Sequence, residues 1–347
     1  MPKLLPDKLT ETNIVGIRTL SPGHPVFKLI WNGGETGNMN FTVKWETVKP
    51  ETLEVVYGLM RDVARGTRAR VLSTGEVGAI YKLAQKSDTA VVEDEAAKYI
   101  KSTVIPHKGD STWVLMHFKD GLTELDKVCK DADAKKAFLI LSSLKEREKD
   151  KDKDNLCRLG KILAVDMFTH NTDRFTIKPS TFELIAEDKK VAKRKGNPAP
   201  PPRGIENLGN VFFVDKGDGR FRIKGLDPFM VSAEMAHLDQ TVQGVKEEGP
   251  GWWSGILLQD EKRMKQIAQM ACDSLNHELG TAAGKVYDGS VLKQYKLGDD
   301  DVKAVFEAMK AARDKIKACC LMRIAQAGGR QKPSQGLMSR VVALSWK

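Results

Sequence analysis

Residues 211–229, VFFVDKGDGRFRIKGLDPF, constrain the fold more than any other stretch of the chain. Two runs rich in β-branched and aromatic residues flank the turn DKGDG, whose two glycines supply the backbone freedom that a tight turn needs. An antiparallel hairpin is expected here. Most of the chain from about residue 122 onward reads as helix, and 260–328 carries periodic Met, Ile, Leu and Ala. Residues at the outer ends of a hairpin lie close in space. Asn210, at its start in NLGN, and Asp227, at its end in GLDPF, are therefore expected to meet.

The first part of the chain has a different period. Residues 24–32, HPVFKLIWN, and 39–46, MNFTVKWE, read as strands joined by GGETGN. Phe41, Val43 and Trp45 alternate with Thr42, Lys44 and Glu46, which puts the apolar residues on one face. Lys44 stands on the polar face, after a turn whose Gly33, Gly34 and Gly37 permit tight bending. Pro50 opens a helix with Leu53, Val56, Met60 and Val63 at helical spacing, and Gly66 is its expected stop. STWVLMHFKDG, residues 111–121, reads as a strand that ends in a Lys-Asp-Gly turn. The order predicts an α+β chain of two unequal lobes with a cleft between them. We place a β-rich N-lobe at residues 1–118, a mainly helical C-lobe at 119–330 and a tail at 331–347.

Bulk properties remove several classes. The chain has 347 residues, 41% of them hydrophobic, which suits a large core. No apolar run approaches the roughly 18 residues of a membrane span, and MPKLLPDKLTE is no signal-peptide core. The expected location is the cytoplasm; secretion into a host cytosol without a classical signal stays open. The five cysteines, Cys129, Cys157, Cys272, Cys319 and Cys320, form no CxxC pair, which argues against disulfides and zinc.

Two runs concentrate charge, and only the second contributes to the formal +10. KEREKDKDKD, residues 145–154, alternates in sign and reads as a solvated loop. KKVAKRK, residues 189–195, is basic and runs into GNPAPPPRG. The segment EDKKVAKRKGNPAPPPRG is expected to stay largely irregular. No aromatic residues interleave with its charges, so nucleic acid is not an expected partner. HExxH, GxSxG and GxxxxGK[ST] are absent, which leaves metalloprotease, serine hydrolase and P-loop readings without a motif.

Phosphoryl transfer from ATP needs few protein parts: a lysine on the phosphates, a backbone cover, oxygen ligands for a metal and a residue that orients the nucleophile. The chain offers one of each in order. Lys44 follows a glycine-rich turn, and Glu54, or Glu51 one turn earlier, is the helical carboxylate placed to hold it. THNTDRF, residues 169–175, presents Asn171, Asp173 and Arg174 just past an apolar run, KILAVDMF, that reads as helix or strand. Asp173 would orient the acceptor hydroxyl, Arg174 would hold the loop or neighbouring charges, and His170 reads as loop packing. Asn210 and Asp227 would share Mg²⁺, a hard cation that takes oxygen ligands. Singly, each residue has an ordinary reading as a surface lysine, an exposed glutamate or a turn former. Their joint order favours the catalytic one.

NTDR, then GNVFF, a hairpin and an aspartate, resembles the actin-fragmin kinase catalytic domain and the wider phosphatidylinositol 3/4-kinase-like branch of the protein kinase fold. The resemblance implies a bilobal protein-kinase-like fold that uses ATP and Mg²⁺. It matches Asp173 to the catalytic aspartate, Asn210 and Asp227 to the metal ligands, Lys44 to the phosphate lysine and Glu54 to its partner. It also makes VLMHFKDG the linker between lobes, with Met116, His117 and Phe118 near the adenine. Departures are the 37 positions between Asp173 and Asn210 and the Pro228-Phe229 after Asp227 in place of Phe-Gly.

The expected function is an atypical Ser/Thr kinase acting on a protein, with actin or another host protein as candidate partner and a bacterial effector as a fitting setting. The alternatives are a phosphoinositide or small-molecule kinase, which leaves membrane contact open, an AMP transferase on the same residues, and a binding module without activity.

Overall fold

The computed structural model describes residues 5–20, 26–46, 50–64, 66, 68–86, 90–104, 112–118, 121–131, 133–151, 153–169, 171–177, 179–198, 200–226 and 260–328. Its architecture is α+β as expected, with a β-rich N-terminal part before a mainly helical C-terminal part. The expected tail at 331–347 lies outside the described residues.

The N-terminal part is one antiparallel sheet of β1 (Ile14–Thr19), β2 (Val26–Asn32), β3 (Asn38–Glu46), β4 (Ala69–Val71) and β5 (Thr112–His117), in the spatial order β1-β2-β3-β5-β4. The period of two does what it predicts. Phe27, Leu29, Phe41, Val43, Trp113 and Leu115 point to one face. There they pack on Ile80 and Leu83 of α2 (Thr74–Gln85) and on Ala96 and Ile100 of α3 (Asp94–Val104). The N-terminus of α2 carries a capping box, with Ser73 and Glu76 answering each other's backbone N–H groups. Glu76 also receives Arg70 at 2.6 Å and the Leu9 amide at 2.8 Å, which ties the leading segment to the sheet.

Helix α1 (Pro50–Asp62) covers the other face and joins the two parts. Leu53, Val56 and Tyr57 pack on Val114 of β5. One turn later Leu59, Met60 and Val63 belong to the C-terminal core. Gly66 ends this passage as expected: a Cβ there would meet Met60 Cγ at 2.5 Å, so no larger residue fits.

The C-terminal part surrounds α6 (Asn155–Thr169), whose residues are buried almost throughout. KILAVDMF is thus helix. Around it stand α4 (Leu125–Lys130), α5 (Ala134–Lys145), α8 (Glu261–Ala283), α9 (Gly289–Tyr295) and α10 (Asp299–Gly328). Gly160 lets α6 approach α10 closely, since a Cβ there would lie 2.3 Å from the Val305 carbonyl. Asp154 departs from the expected solvated loop at 145–154. It is buried, accepts from the Cys157 amide at 2.9 Å and pairs with Arg147 at 2.7 Å, and so caps α6.

The expected hairpin is β7 (Phe212–Asp215) and β8 (Phe221–Lys224), and β6 (Leu122–Glu124) adds a third strand on the β7 side. Gly217 and Gly219 take φ of 83° and 78°, the conformation for which the turn needs glycine.

The segment after residues 169–175 corrects one expectation. Residues up to Arg194 are helical, in α7 (Pro179–Arg194). The prolines begin only at 198, and the Ala, Lys and Glu before them favour helix. Pro179 opens α7, and Gly196 closes it at φ 66°. There Asn197 N donates to Ala192 O at 2.9 Å and Gly196 N to Lys193 O at 3.3 Å, a Schellman ending. Among the described residues no helix is long and apolar enough to cross a membrane.

Candidate active site

The loop after α6 is a bend and a polar centre at once. Asn171 donates its amide to Asp166 Oδ1 at 3.1 Å, and its own Oδ1 accepts the Asp173 backbone N–H at 3.2 Å. This Asx turn presents Asp173 on the outside of the bend. Arg174 turns inward and is 1% exposed. Its guanidinium lies 3.5 Å from Asp166 and donates to the Leu226 carbonyl at the end of the hairpin. Burial pushes the Asp166 carboxyl up to about 7, although Arg174 and Asn171 both pull the other way. Arg174 therefore holds the frame: one buried side chain ties α6, the loop and the end of the hairpin together. His170 lies outside the described residues.

The chain then makes its long excursion and returns beside its point of departure. Phe175 bridges to Ile205, Thr176 N donates to Gly204 O at 3.1 Å, and Glu206 N donates to Arg174 O at 3.1 Å. Gly204 is seated on α8: its N–H donates to Ser274 Oγ at 2.6 Å, and a Cβ would stand 2.0 Å from the Met270 carbonyl. This seat positions the NLGN turn three residues later. Asn210 Nδ2 reaches Asp173 Oδ2 at 2.5 Å and the Asp173 carbonyl at 3.2 Å. Asn207 Nδ2 approaches Asp173 Oδ1 at 3.4 Å, and its Oδ1 caps the short 3₁₀ turn of Leu208–Asn210.

The structure thus brings together Asp173 and Asn210, and adds Asn207, which sequence reasoning missed. The spacing Asn-x-x-Asn in NLGN was the available signal. With its nitrogen on Asp173, the Asn210 amide has its oxygen left; among the described residues nothing donates to it. An amide oxygen beside a carboxylate is a donor set that suits a hard divalent cation. Asp227 lies one residue beyond Leu226 and outside the described residues.

On the sheet, Lys44 pairs with Val26 of β2 and Val114 of β5, and shares its face with Thr42 and Met116. Two expectations change here. The Lys44 ammonium lies 2.8 Å from Glu46, whose side chain is fully buried, while Glu54 is exposed. Strand geometry explains the first fact, because residues two apart share a face. Helix geometry explains the second: Leu53, Val56 and Tyr57 take the inward stripe of α1 and turn Glu54 to solvent.

The turn with Gly33, Gly34 and Gly37 stands at the opposite end of the β2–β3 ladder. It closes the pair Asn32–Asn38, about 20 Å of strand away from Lys44. Gly34 and Gly37 have φ of 65° and 70°, so these glycines make a hairpin turn and do not cover the Lys44 end. Counting six residues from Asn38 to Lys44 would have shown this from the sequence. The connection at the Lys44 end is β1–β2, with residues 21–25 outside the described set. Met116 is half-buried against the α1 cluster, and the Lys28 ammonium stands 4.9 Å over the Phe118 ring.

No protein-family model and no curated protein sequence matches the chain. Among solved structures, it is similar to an aminoglycoside phosphotransferase from Alicyclobacillus acidocaldarius subsp. acidocaldarius DSM 446. The alignment has 12% identity and a TM-score of 0.24, and covers 94% of this chain and 98% of the other.

Proposed function

We propose that the chain is an ATP- and Mg²⁺-dependent phosphotransferase that moves the γ-phosphoryl group to a Ser or Thr hydroxyl of a protein. The observation that carries this reading is the meeting of Asp173 and Asn210 across 37 positions, with amide to carboxylate at 2.5 Å. Two amides orient the Asp173 carboxylate, which then aligns the acceptor hydroxyl and takes its proton as the new bond to the γ-phosphorus forms. The bond from that phosphorus to the β–γ bridging oxygen breaks, and ADP leaves. Asn210 Oδ1 and Asp227 would hold Mg²⁺, which supplies charge neutralisation at the phosphates. Lys44, oriented by Glu46, meets the phosphates, and Met116 and Phe118 line the adenine end. Catalysis of this kind is mostly positioning and electrostatics.

The likeness of NTDR and GNVFF to the actin-fragmin kinase domain favours a protein acceptor over a phosphoinositide or a small alcohol. An effector acting on a host protein such as actin is the setting this reading suits. The test is transfer from ATP labelled at either the γ- or the α-phosphorus, with a cell lysate as acceptor. Label from γ-ATP alone on protein is the expected result. Label from α-ATP would assign AMP transfer, and label on lipid or small molecules would move the acceptor class. Label from neither, with no self-labelling, would leave a binding module.

A further inference from the structure

We infer that α7 and the turn after it form a docking arm for an acidic segment of the acceptor protein. The inference deepens the phosphotransferase reading by naming the chemistry around the acceptor hydroxyl. Residues 178–203 leave the catalytic loop and return to it, and both feet are fastened beside Asp173 by the Phe175–Ile205 bridge and the Thr176–Gly204 and Arg174–Glu206 hydrogen bonds. An element fastened there moves with the loop.

The arm itself stands off the core. Among the described side chains of α7 only Ile185 is buried, and Leu184 is 65% exposed. A helix that wet contributes little to folding, so its side chains are available for another partner.

Its charges are sorted. Glu187 pairs with Lys190 at 3.7 Å and Asp188 with Arg203 at 3.5 Å. Lys193, Arg194 and Lys195 are exposed, and among the described residues none of them meets a carboxylate. Two of the arm's three carboxylates are thus paired, Glu183 near its start stays exposed, and the far half keeps its positive charge. Leu184 and Val191, seven residues apart, share one stripe with Lys195, so an apolar line runs into the basic end.

That combination fits an acidic polypeptide with an apolar residue upstream of its carboxylates. Residues 183–203 contain no aromatic side chain beyond Phe182 at their edge, so the stacking contacts that single-stranded nucleic acid uses are missing. The 16 residues of α7 span about 24 Å, the length of about seven residues of extended chain. Carboxylates within about that distance of the acceptor hydroxyl are the ones the arm can reach.

The test uses the full chain, a fluorescent acidic peptide (a serine flanked by glutamates), its glutamine counterpart and a single-stranded oligonucleotide, with binding read by anisotropy. The variants are the triple substitution Lys193→Glu, Arg194→Glu, Lys195→Glu, and separately Asp173→Ala. The expected result is salt-sensitive binding of the acidic peptide by wild type and Asp173→Ala. The triple variant should bind about tenfold or more weakly, the scale of three exposed ion pairs. Equal binding of the acidic and glutamine peptides, no loss in the triple variant, or tighter binding of the oligonucleotide would overturn the inference. Peptide binding needs no turnover, so it can hold while label transfer fails; that outcome would reject the phosphotransferase and keep the arm.

Discussion

The side-chain amide of Asn210 donates to the carboxylate of Asp173 at 2.5 Å, although 37 positions of chain separate the two. What closes that gap is not the pair itself. Arg174 pins the loop to Asp166 and Leu226, and Gly204 seats the returning strand on α8. The polar pair is the half-buried end of a buried frame, so the site's geometry should depend on residues that touch no substrate.

Removing the pair tests its direct role. Asn210→Ala takes away a hydrogen bond to Asp173 and, on the proposed reading, an oxygen ligand of the cation. Turnover should fall by about 10²-fold or more, the scale of one lost positioning donor, and the Mg²⁺ concentration for half-maximal rate should rise. A rate series over Mg²⁺ checks both. A full rate with an unchanged Mg²⁺ requirement would remove Asn210 from the site.

The buried frame predicts a pH dependence of stability. Asp166 titrates at about 7 in the folded chain, against an ordinary 3.8. The folded state therefore keeps a proton that the unfolded chain gives up. The resulting contribution is complete below about pH 4, falls as pH rises through about 7 and is absent above it, with an upper scale of about 4 kcal/mol. Urea midpoints at pH 5 and pH 8 should show a difference in wild type that Asp166→Asn reduces. Arg174→Met, which leaves the buried carboxyl without its cation, should cost about 3 kcal/mol at pH 8 and less at pH 5.

The Lys44–Glu46 contact predicts which carboxylate matters for nucleotide. Glu46→Gln should weaken ATP binding by about tenfold, since one oriented charge pair is worth on the order of 1–2 kcal/mol. Glu54→Ala, at an exposed position, should leave binding within a factor of about two. Calorimetric titration of ATP with both variants separates them, and the reverse ranking would restore the helical partner.

Gly204→Ala forces a methyl against the Met270 carbonyl, 2.0 Å from where it would sit. The strain should cost about 1–3 kcal/mol of stability. Because this seat positions Asn207 and Asn210, activity should fall even at temperatures where the variant is fully folded. Thermal melts paired with rates at about 20 °C below the measured midpoint check the two effects separately.

Local chemistry was legible in the sequence, and distant contacts were not. DKGDG announced β7–β8 because its turn residues act within a few positions. Phe41, Val43 and Trp45 announced β3, and Pro50 with its apolar stripe announced α1, for the same reason. The helix α7 was hidden by the prolines beyond it, although Gly196 offered a stop. Glu46 was legible in principle, because a strand neighbour two positions away already faces Lys44; the expected helical partner masked it. Arg174 read as a site residue by its place in NTDR. Only the fold shows that it points inward to Asp166, eight positions back across the end of α6. Asp154 sits in a run of exposed charges and is buried because it caps α6, which no charge pattern reveals.

The central claim is that Asp173 orients a hydroxyl for attack on the γ-phosphorus. The most direct measurement is the initial rate of γ-label transfer from ATP by wild type and Asp173→Asn, each shown by its melting curve to be folded. The account predicts transfer by wild type and a loss of about 10³-fold or more in the variant. Equal rates in the two proteins, or no transfer by wild type with any acceptor or to itself, would contradict it.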